Sequence, residues 1–205
     1  MFGSNLVRHF KELQRYVRNF QYELGDGDIY FPKAQASIAG IYTHWITGQE
    51  FDIRNDHNLI PDEGLNYILN QMMLDASDQV SARTWYVMIH SGTGTPSAAL
   101  NAANYDATLS EITSGTEGYT ESVRVTWVPD ATDVANTETT NLATPATFTI
   151  VTASSLAVNG AAITSVSTKG STAGTLMSAG KFTATRTLAD TDEFNLKYKI
   201  DFDAV

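Results

Sequence analysis

The run EFNLKYKIDF, residues 193–202, alternates without a break: Phe194, Leu196, Tyr198, Ile200 and Phe202 fall on one side, Asn195, Lys197, Lys199 and Asp201 on the other. A period of two is the pattern of a strand with one buried face. ESVRVTWV (121–128) shows the same alternation, setting Val123, Val125 and Trp127 against Arg124 and Thr126. ATFTIV and AAITSVST are shorter β-branched runs, and ASIAGIYTHWI and QEFDIRNDHNLI, joined through TGQ, predict a hairpin. Thr/Ser/Ala/Gly stretches with few large apolar residues separate these runs, and DATDVANTETTNLATP (130–145) predicts a long exposed loop.

Two segments carry the helical period instead. In PDEGLNYILNQMMLDAS, Leu65, Ile68, Leu69, Met72 and Met73 recur at i, i+3, i+4, i+7 and i+8, which predicts a helix over 62–75 with one buried face. Pro61 suits its first position, Asp62 and Glu63 complement its positive end, and the Met pair reads as core filler. Over residues 4–20, Leu6, Phe10, Leu13, Val17 and Phe20 form a stripe, with Arg8, Lys11, Arg15 and Arg18 largely off it. This segment packs on its own domain or is an arm that docks on a neighbour. LGDGDIYFPK then interrupts it, making 25–35 a hinge or linker, and Asp26 with Asp28 is too small a set for a calcium loop. The expected architecture is mainly β: an antiparallel β-sandwich of jelly-roll or Ig-like kind over 36–205, with one internal amphipathic helix and an N-terminal helical arm over 1–35.

Charge sharpens the division. Residues 1–20 hold four cations against Glu12, a local +3, leaving −13 on the rest of a chain whose formal total is −10. An acidic body argues against nucleic acid as the main partner, since phosphates require clustered Lys and Arg. The absence of cysteine excludes disulfides and thiolate metal sites. No apolar run approaches the roughly 20 residues of a membrane helix, and the N-terminus lacks the pattern of a cleaved export signal. The expectation is a soluble chain without a membrane partner.

Candidate chemistry centres on TWYVMIHSGTGTPSAAL, residues 84–100, where a hydrophobic run meets His90, Ser91 and a glycine loop. A P-loop requires Lys after its glycines, whereas Thr95 and Pro96 stand there. A nucleophile elbow requires glycines flanking the serine, and Ile89 and Gly92 do not supply them. A dinucleotide turn requires alternating strands and helices. His90 therefore reads as a strand-end residue, bonded locally or facing water, and the stretch as a turn. His44 and His57 could meet across the hairpin near Asp52 or Asp56 as a two-ligand metal site. The balance favours no catalytic, cofactor-binding or metal residues.

HNLIPDEGLNYIL, TWYVMIHSGTGTP, SVRVTWV, ATFTI, VSTKGSTAGTLMSAGKF and FNLKYKI, in this order, resemble a widespread family of tailed-bacteriophage virion proteins. That family shows an N-L-V…G-L-N-Y-L-L helix, a W-Y-V-G-L strand, an R-x-x-W strand, an A-x-F-x-I strand and S-T-K-G-G-T-x-G-T-L-x-S. The likeness runs from about residue 38 to 202; residues 1–35 depart from the family's usual start. The resemblance implies a non-enzymatic capsid decoration or cement protein located in the virion. Its partners would be other virion proteins, either the major capsid protein or head–tail components, and it would form a homo-oligomer, for example a trimer. Leu6, Arg8, Phe10, Lys11, Leu13, Arg15, Val17, Arg18 and Phe20 would then be the partner-binding arm. The alternatives are a tail or collar component, a carbohydrate-binding module using Trp45, Trp85 or Trp127, and an enzyme using His90 and Ser91.

Overall fold

The computed structural model describes residues 23–25, 28–30, 36–81, 83–130 and 137–204, with side chains between Ile38 and Phe202 except at 82 and 131–136. The arm stripe and Asp26 lie outside these residues. The chain divides into two units, of which Ile38–Phe202 holds nearly all the described structure. In the other, β1 (Glu23–Gly25) pairs antiparallel with β2 (Asp28–Tyr30), so part of the expected linker is a small hairpin.

The main unit is mainly β, with two sheets. One has the order β11-β10-β5-β7, from Leu176–Leu188, Leu156–Thr164, Trp85–His90 and Val125–Trp127. The other has the order β4-β3-β12-β9-β6, from Arg54–His57, Ala36–Ile46, Glu193–Ala204, Ala146–Val151 and Gly118–Tyr119. β8 (Glu138–Thr140) pairs with the C-terminal part of β12. The expected loop over 130–145 therefore contains a strand, and Asn141 at its end is fully buried, its amide reaching the backbone of Leu196 and Tyr198. Apolar residues of both sheets, among them Val87, Ile89, Ile163, Tyr42, Phe148, Phe194 and Tyr198, share one buried cluster.

The alternation in β12 holds on its apolar side, where Phe194 through Ile200 are buried. β5 shows no alternation because both its faces are covered. Val87 and Ile89 enter the main cluster, while Met88 joins a second one with Leu100, Tyr105 and Leu109. Tyr105 and Leu109 belong to α2 (Tyr105–Leu109), so the unit has two helices where the periodicity predicts one. Five residues are too few to register a 3.6-residue period.

Arg124 overturns the alternation read for 121–128. The strand begins only at Val125, and just before it Arg124 is 1% exposed whereas Val123, in a bend, faces solvent. The guanidinium is inside and the valine outside.

α1 (Asp62–Met73) follows Pro61, which stands at the N-cap, one position before the first helical residue. Its N-terminal half packs against β11 so closely that a Cβ on Gly64 would run into the carbonyl oxygen of Met177. Glu63 fastens the same end, its Oε2 accepting from the backbone N–H of Ala102 and Leu176, each at 2.8 Å. We expect Gly64→Ala to lower stability by about 1–2 kcal/mol, the strain of overpacking outweighing the helix propensity gained. A urea midpoint unchanged or raised would show that the helix can shift. The C-terminal half does not follow the expected buried face: Ile68 is buried, but Leu69, Met72 and Met73 are 56%, 65% and 74% exposed. The period identifies which side of a helix is apolar, not how far the surface beneath it extends.

Candidate functional site

β5 ends at His90, and Ser91 begins the loop that follows. His90 is fully buried, and its Nε2 lies 3.1 Å from the carbonyl oxygen of Gly180. Burial holds its pKa down at about 4, against the opposing backbone bond to Gly180. Ser91 is exposed, and its hydroxyl lies 3.4 Å from the Ser110 carbonyl oxygen. The two do not form a dyad. The glycines that follow serve close backbone approach: Gly92 N–H donates to Leu109 O at 2.7 Å, and a Cβ at Gly92 or Gly94 would meet the carbonyl of Leu109 or Thr108. Residues 91–97 form neither helix nor strand, and the turn expected in this stretch lies at residues 98–99.

The suggested metal pair does not assemble. In the β3–β4 register, Ile41 faces His57 and His44 faces Arg54. His44 instead meets Asp56 and Arg186. Its Nε2 lies 2.8 Å from Asp56 Oδ2, and its Nδ1 accepts from Arg186 Nε at 2.9 Å. Because the guanidinium can only donate, Nδ1 must be the acceptor and Nε2 carries the proton. Asp56 Oδ1 accepts from the Thr183 N–H and hydroxyl, and Arg186 also bonds Asp52 and the His44 carbonyl oxygen. Burial pushes the Asp56 carboxyl up, but the Thr183 and His44 bonds outweigh it and leave its pKa below normal. The imidazole is held at about 4, mainly by burial. A guanidinium occupies the position where sequence spacing suggested a cation. Among the described residues, no group of three His, Asp or Glu is arranged to hold a metal.

Arg186 was not anticipated, although Phe182, Arg186 and Leu188 share one side of β11 and the charge interrupts an otherwise apolar set. The buried pair of Arg124 with Glu111 was equally unanticipated. Arg124 Nε and Nη2 donate to the two carboxylate oxygens at 2.8 and 2.7 Å, with both side chains 1% exposed. The guanidinium also donates to the carbonyls of Val166 and Ser171, and Glu111 accepts from Gly170 N–H. Arg124 is the only Lys or Arg between Arg83 and Lys169, and that isolation was the available signal.

Of the three tryptophans suggested as sugar platforms, one is buried and two are half-buried beside other side chains. Trp127 is buried, Trp85 meets Tyr67 edge-on at 5.0 Å, and Lys197 Nζ stands 4.8 Å from the ring centre of Trp45. Comparison with protein-family models, curated proteins and solved structures returns no match. An open groove of about 460 Å³ beside α1 is lined by Asp62, Asn66, Asn101 and Thr172, with Glu63 already committed to backbone amides.

The surface that remains unaccounted for is apolar. The turn over 74–80 folds back on α1, with Val80 N–H on Asn70 Oδ1 at 2.9 Å and Gln79 Nε2 on the carbonyls of Gln71 and Leu74. Met72, Met73 and Leu74, consecutive in the chain, and Val80, tied to Asn70 and Gln71, are all exposed. Exposed apolar clusters of this kind mark interaction surfaces.

Proposed function

We propose that the chain is a non-enzymatic structural protein of a tailed-phage virion, built as a β-sandwich of jelly-roll or Ig-like kind. It decorates or cements the capsid as a homo-oligomer, with its N-terminal segment binding neighbouring virion proteins. A place in the tail or head–tail collar is the alternative position. The observation that carries this reading is what the resembling pieces do to one another. Asn58 of HNLIP donates to the Tyr198 hydroxyl of FNLKYKI at 3.0 Å. Gly64 of DEGLNY packs on Met177 of TLMSAGKF, and Trp85 of TWYV pairs in register with Trp127 of RVTW. Arg124 closes on the VSTKGS loop through Val166, Ser171 and Glu111. Lys169 of the same loop reaches Tyr119 O and stands 3.4 Å from that ring's centre. Residues engaged pairwise in this way build a rigid body rather than line a reactive site. The acidic surface supports the reading too, because like charge keeps a densely repeated protein soluble.

Mass spectrometry of density-purified particles from a phage carrying this chain tests the proposal. The protein is expected as a stoichiometric component, with copies on the order of hundreds in a shell and about a dozen or fewer on the tail axis, where closed rings set the number. Removing residues 1–31 is expected to leave a folded body that no longer joins particles. Absence of the intact chain from purified particles would refute the assignment.

A further inference from the structure

The exposed end of α1 runs into a turn that carries two exposed carboxylates. Of the carboxylates between Asn55 and Asp78, Asp56 is buried against His44 and Thr183, Glu63 is held by backbone amides, and Asp75 and Asp78 stand at this end, while the cation Arg83 lies over Tyr67 in the middle of α1. Asp75 and Asp78 are exposed on the turn that presents Leu74 and Val80. The opposite combination occurs once in the chain, at residues 4–20, where an apolar stripe is flanked by Arg8, Lys11, Arg15 and Arg18. Each copy thus carries one basic apolar plug and one acidic apolar socket.

We infer that the stripe of residues 4–20 of one copy docks on the C-terminal end of α1 and the 74–80 turn of a second copy. This rests on the proposal above that the N-terminal segment binds neighbours, and it names the surface that receives it. The stripe supplies apolar side chains for the exposed Leu69, Met72 and Met73, and its cations are opposite in charge to Asp75 and Asp78. A contact between two different patches is heterologous, so it passes from copy to copy and closes into a ring where the rotation permits. Long-range attraction between a +3 segment and this acidic edge speeds the encounter and weakens with salt.

The chain has no cysteine, so introduced thiols report the contact cleanly. Full-length Val17→Cys and Met73→Cys copies are mixed and treated with a short bismaleimide. The expected result is a Val17–Met73 adduct of two chains, several-fold more abundant than that formed by Val17→Cys with Leu142→Cys, another exposed apolar position. Met72→Asp with Met73→Asp is expected to weaken self-association by about tenfold or more, read by light scattering, because each buried Met side chain contributes on that scale. Circular dichroism controls for folding of the variants. Equal yields from the two thiol pairs would overturn the docking, as would unchanged association of the aspartate variant. If particles still require residues 1–31 while the thiols do not react, the docking surface is wrong and the virion assignment stands. If the adduct forms but purified particles lack the protein, the docking stands and the virion assignment falls.

Discussion

Replacing Arg124 by methionine is expected to remove about 3–5 kcal/mol of folding stability, because it leaves the Glu111 carboxylate buried without its cation. The side chain it replaces is 1% exposed and makes four hydrogen bonds, two to Glu111 and one each to the carbonyls of Val166 and Ser171. Methionine fills most of the arginine's volume, so the loss reports the missing charge and donors more than a cavity. Domains of this size are stable by only about 5–15 kcal/mol, so the change is large enough to show at once in a urea transition. A second variant separates the causes. Arg124→Met combined with Glu111→Met removes both charges and is expected to be less damaging than Arg124→Met alone, though still destabilising because Gly170 N–H and two carbonyls lose partners. If the single and double variants unfold at the same midpoint, the uncompensated carboxylate is not the source of the loss.

These interactions also show which parts of the molecule were legible beforehand. β12 was readable on its apolar side, where each inward residue meets the same cluster; Asn195, expected outward, is instead buried and bonded to Thr47 and Thr147 of the flanking turn and strand. The start of α1 was readable for the same reason. Its end was not, because exposure at Met72 and Met73 depends on where β11 stops beneath the helix, which no local pattern encodes. Alternation predicts the wrong side for Arg124 because the strand starts at Val125, two residues after the alternating run does. Its partner Glu111 sits thirteen positions earlier, beyond any local rule. The His44 cluster lies between these cases. His44, Asp52 and Asp56 were recognised as neighbours, but Arg186 joins them from the far end of the chain and turns a suspected metal site into a closed hydrogen-bonded network. Hairpin spacing brings His44, Asp52 and Asp56 together within one local pattern, whereas Arg186 and Glu111 reach their partners only through the tertiary fold.

Acid is expected to remove about 6 kcal/mol of stability between pH 6.5 and 4, contributed about equally by His44 and His90. Both rings are fully buried, and burial holds each at about 4 against an ordinary value of 6.5. At roughly 1.4 kcal/mol per pH unit, each lowered value corresponds to about 3 kcal/mol. The sign follows from where the protons bind. Between pH 6.5 and 4 the unfolded chain binds a proton at each imidazole and the folded chain does not, so stability falls with pH across that window. Above about 6.5 the contribution is complete; below about 4 the folded rings protonate too, and no further loss comes from them. At His44 the structural reason is explicit. A proton on Nδ1 would face the Arg186 Nε–H, setting two donors against each other where a bond of 2.9 Å now stands. Asp56, held below its ordinary value by Thr183 and His44 despite burial, extends the loss below pH 4 rather than through the histidine window. Urea unfolding at steps from pH 7.5 to 4 measures the slope, and His90→Gln is expected to halve it while leaving the His44 part intact. A stability that stays level from pH 7 to 5 would mean that neither imidazole is held neutral by the folded protein.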